Sequence, residues 1–451
     1  MNIQRSITKY LEDFYKSEKS KAVLITGGRQ IGKSYSIREF GRRCFKSFVE
    51  INFLENKDAV TAFKTAKDTK DLILRISSLT SIPLIEGDTL VFLDEIQVLP
   101  DAITAIKFLV EDGRFKYILS GSLLGVELKG IRSVPVGFMS IKEMYPLSIE
   151  EFFKACGVND NIWEKLENCY KNAIEVDSFI HEKMMALFHL YLIVGGMPEV
   201  VSTYLETNDI QKVIEKQKEI LTLYKEDISQ YDKDSKLYIE DIFDLIPSEL
   251  NNQNKRFILK KLNENIKFKR YEDSFIWLRE AGVAIPVYNI ESPTLPLELA
   301  KLRNLFKLFS NDVGLLASQY ADGIQLKILN GDDSINYGAI YENAVAEELL
   351  SHGFKLYYFN SKKQGELDFV IKLNDSILPI EVKSGKYYER HNALKNVLEN
   401  KEYGIKEAII LTNANIKRKE SLLYLPIYMV AFIKEKKIEH LLYKIDLANI
   451  V

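Results

Sequence analysis

The stretch that most constrains this 451-residue chain is Gly27-Gly28-Arg29-Gln30-Ile31-Gly32-Lys33-Ser34, which directly follows the apolar run Ala22-Val23-Leu24-Ile25-Thr26. The spacing G-x-x-x-x-G-K-[ST] behind a strand and ahead of a helix is that of a phosphate-binding loop. Gly27 and Gly32 let the backbone wrap tightly enough for consecutive N–H groups to point at phosphate oxygens, and the helix beginning near Lys33 adds its positive end to the same anion. The expected nucleotide site is Gly27, Gly28, Arg29, Gln30, Ile31, Gly32, Lys33, Ser34 and Tyr35. In it Lys33 reaches the β- and γ-phosphates and Ser34 ligates Mg²⁺, so the expected ligands are ATP and Mg²⁺.

A second run, Thr89-Leu90-Val91-Phe92-Leu93, reads as a buried strand delivering Asp94-Glu95 at its end. Asp94 is placed to hold Mg²⁺ and Glu95 to orient and polarise the attacking water, which makes Glu95 and Lys33 the catalytic candidates. A third strand, Phe115 to Leu119, ends in Ser120-Gly121-Ser122, where either serine could sense the γ-phosphate; an ordinary Ser/Gly turn fits equally well. From Lys21 to about Phe153 strand and helix alternate, with strands expected near 22-26, 48-53, 89-94, 115-120 and 138-144. The fold class is therefore α/β, with the Walker B strand separated from the loop strand by another strand, as in additional-strand P-loop ATPases.

Composition excludes little: 46% hydrophobic and 28% charged residues with a formal charge of -3 give no global footprint for nucleic acid. Cys44, Cys156 and Cys169 have no metal spacing, which suits a reducing cytosol, and no apolar run approaches membrane-spanning length. A soluble cytoplasmic protein without a membrane partner is expected. The boundaries read as 1-155 for the ATPase domain, 156-232 for a helical lid or linker, 233-295 for a winged-helix-like segment and 296-451 for the C-terminal domain. The third segment rests on a helix through Gly282, a short strand after it, and the basic residues Lys255, Arg256, Lys260, Lys261, Lys267, Lys269 and Arg270. Such a run is either a DNA contact or a solvated helix face. His189 reads as a packed or solvated histidine, with no partner ligand near it in sequence.

Near the C-terminus two strand-like runs, Gly365 to Ile371 and Ile377 to Ser384, are joined by Lys372-Leu373-Asn374-Asp375. Alternation puts Glu381 and Lys383 on one side and Ile380 and Val382 in the core, and a hairpin brings Asp368 beside them. The expectation is one cluster at a sheet edge, with Glu342 from the preceding helix nearby. Two carboxylates and a lysine converging there suit a divalent cation and phosphodiester hydrolysis; paired surface charges are the alternative.

With these residues assembled, the chain resembles the prokaryotic AAA-type ATPases that carry a C-terminal domain of uncharacterised function related to the PD-(D/E)XK nucleases. Its signposts are the loop at 26-34, Phe92 to Gln97, Tyr145-Pro146-Leu147-Ser148 through Phe152, Gly195-Gly196-Met197-Pro198-Glu199, Phe306 to Leu316 and Ile380 to Gly385. The resemblance implies an N-terminal AAA-like sheet and a C-terminal mixed α/β restriction-endonuclease-like domain. It departs in two places: Arg132 replaces a Gly-Arg pair as the candidate γ-phosphate-sensing arginine, and Leu367 stands where nucleases often carry proline. Mg-dependent ATP hydrolysis driving a conformational switch is the leading expectation. An ATP-regulated DNA-binding protein or nuclease, and an ATP-holding module for a protein partner, are the alternatives. Oligomers are compatible with all three.

Overall fold

The computed structural model describes residues 3–17, 21–121, 137–230, 236–252, 255–258, 271–320, 323–330, 337–385 and 388–436. The first sheet contains β1 (Ala22–Thr26), β2 (Ser47–Asn52), β3 (Thr89–Asp94), β4 (Lys116–Ser120) and β5 (Met139–Glu143), ordered β2-β3-β4-β1-β5 with every pairing parallel. Strands covered on both faces need near-continuous apolar sequence, and β1 and β3 supply it. One face, including Leu24, Ile51, Val91 and Leu119, packs under the helices Lys57–Thr65, Thr69–Ser78 and Asp101–Asp112. Because β4 lies between β1 and β3, the ends of all three strands open onto the loop before the Lys33–Cys44 helix.

The other face does not close on itself. Val23, Ile25, Phe92 and Ile118 belong to a core that runs through Phe152, Phe188 and Tyr191 and on to Phe309, Phe369 and Ile380. Three helices carry it across: Ile149–Ala155, started by a capping box between Ser148 and Glu151; Ser178–Val194, which is apolar along most of its length; and Pro198–Thr207, with proline at its first position. The Ile210–Gln230 and Lys236–Leu250 helices follow.

The second sheet is mixed and has eight strands: β6 (Ala284–Ile290), β7 (Lys301–Ser310), β8 (Tyr357–Ser361), β9 (Gly365–Leu373), β10 (Ser376–Lys383), β11 (Ala408–Thr412), β12 (Lys417–Lys419) and β13 (Leu422–Pro426). Their order is β12-β13-β11-β10-β9-β8-β6-β7. The Gly338–Ser351 helix packs through Ala344 and Val345 into the long shared core, while Leu394 and Val397 of the Asn392–Glu399 helix cover a separate core with Val370 and Ile410. Strand β6 lies in the 233-295 segment expected to be winged-helix-like, yet it pairs antiparallel with β7 and parallel with β8. A boundary at 295 therefore runs through a hairpin. The expected 365–383 hairpin forms, but β9 is flanked by β8 and β10, and β10 by β9 and β11. Asp368 and Glu381 thus sit on internal strands, not at a sheet edge. Among the described residues no helix is long and apolar enough to cross a membrane, and the three cysteines are free and half-buried.

Candidate functional site

The loop after β1 is held open by backbone geometry. Gly27 adopts φ +128°, and a Cβ there would lie 2.1 Å from the Met144 carbonyl oxygen, so no side chain fits. Gln30 also has positive φ, and Gly32, at φ 87°, caps the helix carrying Lys33 and Ser34. The Lys33 ammonium donates to the carbonyls of Gly27 at 3.0 Å and Gly28 at 2.6 Å. Burial pulls its pKa down to about 8, against the opposing charges of Glu95 and Asp94. Tyr35, the last residue expected at the site, is exposed.

Asp94 joins three elements. Its Oδ2 accepts from Ser34 Oγ at 2.9 Å, and its Oδ1 accepts from the Ser120 hydroxyl and from the Glu95 N–H at 3.0 Å. Ser120 therefore touches the carboxylate, whereas Ser122 and Arg132 lie outside the described residues. Glu95 takes a left-handed conformation with φ 53°, and its side chain accepts from the Gln97 amide. Lys33, Ser34, Asp94, Glu95 and Ser120 thus form one set at the sheet's carboxyl end.

Several residues at this loop carry no local motif. Arg5 donates to the Ile31 carbonyl at 2.9 Å and the Tyr145 carbonyl at 2.6 Å, and pairs with Glu151 at 3.1 Å. On the opposite side Tyr224 OH donates to the Arg29 carbonyl at 3.3 Å and accepts from the Asn311 amide at 3.1 Å. Arg29 Nη1 pairs with Asp227 Oδ1 at 2.6 Å. Backbone meets backbone at Gly28 and Gly282: a Cβ on Gly282 would stand 2.7 Å from the Gly28 nitrogen. A crevice of about 1160 Å³ borders the loop helix and includes Arg5, Tyr35, Ser36, Glu39 and Tyr145. A separate cavity of about 710 Å³ lies between Gly27, Gly28, Pro286, Glu347, Glu348 and Lys355. Tyr145, Glu151 and Asn311 fall within the signposts of the resemblance, and the glycine stop after the Glu272–Glu280 helix had a sequence signal, but the contacts themselves join chain segments far apart in sequence.

At the C-terminal cluster the structure brings Glu342, Asp368 and Glu381 within electrostatic reach of one another, and Glu381 Oε1 accepts from Lys383 at 2.6 Å. Asp368 Oδ2 accepts from the Val382 N–H at 2.9 Å. Lys307, missed in the sequence, is fully buried here, with its ammonium 2.8 Å from Glu366, 3.5 Å from Glu342 and 3.9 Å from Asp368. Lys255, from the basic run read as a DNA contact or a solvated helix face, pairs with buried Glu342, and Lys260, Lys261, Lys267, Lys269 and Arg270 lie outside the described residues. Burial, then Glu342 and Glu381, push the Asp368 carboxyl well up. Burial also raises Glu342, but Lys255 and Lys307 outweigh it and hold that carboxylate below its ordinary range. Glu381 is raised by burial against Lys383, and its Oε2 has no hydrogen-bond partner. Among the described residues no group of three His, Cys, Asp or Glu side chains is placed to hold a metal ion. His189 is packed, with Nε2 3.0 Å from Tyr341 OH.

Residues 19–153 match the family described as an AAA domain. Residues 185–326 and 337–430 match two domains of unknown function, DUF8612 and DUF4143. No curated protein matches the chain. Among solved structures, a Walker-type ATPase of Pyrococcus abyssi is 13% identical with a TM-score of 0.43, over 70% of this chain and 96% of that one. The Aeropyrum pernix Orc1 protein in complex with DNA is 13% identical with a TM-score of 0.28, over 72% and 90%. Cdc6p from Pyrobaculum aerophilum is 11% identical with a TM-score of 0.24, over 72% and 92%. The match to the AAA domain spans the Gly27–Ser34 loop, Asp94, Glu95 and Ser120.

Proposed function

We propose that the chain binds ATP with Mg²⁺ at the Gly27–Tyr35 loop, hydrolyses it, and transmits the nucleotide's state to its C-terminal half. The observation that carries this reading is the hydrogen-bonded set of Ser34, Asp94 and Ser120 beside Lys33 and Glu95. Ser34 Oγ and Asp94 Oδ2 lie 2.9 Å apart and offer the hard oxygen donors that Mg²⁺ takes. Held there by Ser34 and Asp94, the ion would supply positive charge that offsets the negative charge of the phosphates. Lys33 would exchange its carbonyl contacts for phosphate oxygens. Glu95 would release Gln97 and orient the attacking water, with Ser120 holding Asp94 in place. The crevice at Tyr35 and Glu39 has room for the base.

Full-length protein assayed for binding and turnover tests these roles. Lys33→Ala is expected to abolish nucleotide binding, while Glu95→Gln keeps binding and loses about two orders of magnitude or more in turnover. Wild-type turnover in Glu95→Gln would remove Glu95 from the role of base.

For the C-terminal half we read the mixed sheet as a nuclease-like fold whose carboxylates face ammonium groups in place of a cation. Lys307, beside Glu342 and Asp368, Lys255 on Glu342, and Lys383 on Glu381 support this reading, because each sits on a carboxylate that a metal would need. The domain then serves to recognise a partner, DNA or protein, under control of the ATPase. Calorimetry of the full chain with Mn²⁺ is expected to give no binding assignable to Asp368. A heat lost in Asp368→Ala would instead support a metal-dependent nuclease.

A further inference from the structure

Arg29 occupies the middle of the phosphate loop, where its charge is felt by Lys33. Its guanidinium does not stand alone: Asp227, near the end of the Ile210–Gln230 helix, forms an ion pair with it at 2.6 Å. The Asp227 side chain is 7% exposed and the Arg29 side chain 37%, so the pair is anchored on the helix side and open on the loop side. One turn earlier on the same helix, Tyr224 holds the Arg29 carbonyl and is itself held by Asn311, which follows β7. The Asp227 carboxyl is raised by burial, lowered by Arg29, and raised again by Glu226 and Glu95. Asp227 and Glu95 therefore set negative charge beside a loop whose cations are Arg29 and Lys33.

A terminal phosphate entering this loop brings further negative charge within reach of Arg29. Like charges beside one cation repel each other, and one cation cannot fully satisfy both anions. We infer that Asp227 is a specificity-determining residue for the loop: it holds Arg29 away from a γ-phosphate, so triphosphate binding breaks the Arg29–Asp227 pair and diphosphate binding leaves it intact. The same helix is linked through Tyr224 and Asn311 to the end of β7, so a shift of its end at Asp227 reaches the C-terminal sheet. This rests on the loop holding a nucleotide, as proposed above.

The test is binding of Mg²⁺–ADP and of a non-hydrolysable Mg²⁺–ATP analogue to the full chain, in wild type, Asp227→Asn, Arg29→Gln and the double variant. Asp227→Asn is expected to tighten the analogue by about tenfold, equivalent to 1.4 kcal/mol, with ADP changed by less than about twofold. Arg29→Gln is expected to weaken the analogue selectively, and the double variant to match it, because Asp227 acts only through Arg29. Hydrogen exchange along 221–230 should rise with the analogue and not with ADP in wild type. Equal shifts for both nucleotides in Asp227→Asn, or an additive double variant, overturn the inference while leaving the nucleotide site standing. A wild-type chain that binds neither nucleotide overturns both.

Discussion

At Lys33 a single residue carries a measurable pH signature. Burial lowers its pKa to about 8, so above that pH the free side chain is increasingly neutral. Phosphate binding requires the ammonium and raises its pKa. Below about pH 8 affinity should be flat in this group, and above it each pH unit should cost up to about tenfold, with proton uptake accompanying binding. Calorimetry at about pH 9 in two buffers of different ionisation heat should show uptake approaching one proton; none would remove Lys33 from the phosphates. The loop residues were legible because contiguous spacing encodes them. Asp94 and Glu95 were legible because a buried strand aims at them. Lys307 was not, although a lysine inside Phe306-Lys307-Leu308-Phe309 is the kind of polar break that marks a buried charge. Arg5, Tyr224 and Asp227 lack even that, since their partners come from other elements.

At the level of elements, the Ser178–Val194 helix meets the segment after β7 at a helix end clasped by a side chain. Asp312 caps the Val313–Ser318 helix by accepting from the Leu315 N–H at 2.8 Å, and it accepts from the Gly196 N–H at 2.6 Å. A Cβ on Gly314 would stand 2.5 Å from the Val194 carbonyl oxygen, so the two helices meet at backbone distance. Burial raises the Asp312 carboxyl from 3.8 to about 6, with the backbone N–H groups opposing. An acid whose folded pKa is raised contributes stability that is present below its unfolded pKa and lost as pH climbs through the folded one. Wild type should therefore lose stability relative to Asp312→Asn between about pH 4 and pH 6, by on the order of 3 kcal/mol. Denaturant titrations across that range check it; parallel profiles would remove Asp312 as the source. Alternation of strand and helix gave away the parallel sheet, because its strands are covered on both sides. The winged-helix expectation drew on a helix, a glycine and a strand, a local order that is silent about pairing. Only the long-range register of β6 with β7 and β8 reveals which sheet the strand enters.

For the whole molecule the decisive feature is the apolar core that continues from Phe92 to Ile380. Separate domains would unfold separately, but a shared core makes either half expose apolar surface when the other leaves. The two tryptophans, Trp163 and Trp277, both belong to that core. Their fluorescence in urea should therefore change together with the far-ultraviolet dichroism, in one transition. Two resolved midpoints would show the halves to be independent. The contact of Gly28 with Gly282 carries this unity into heredity. Because backbone touches backbone there, neither position accepts even a methyl group unless the other segment retreats. A mutation at either site is a mutation at both, and across descendants of this chain the two glycines should persist or be replaced as a pair, although no stretch of sequence connects them.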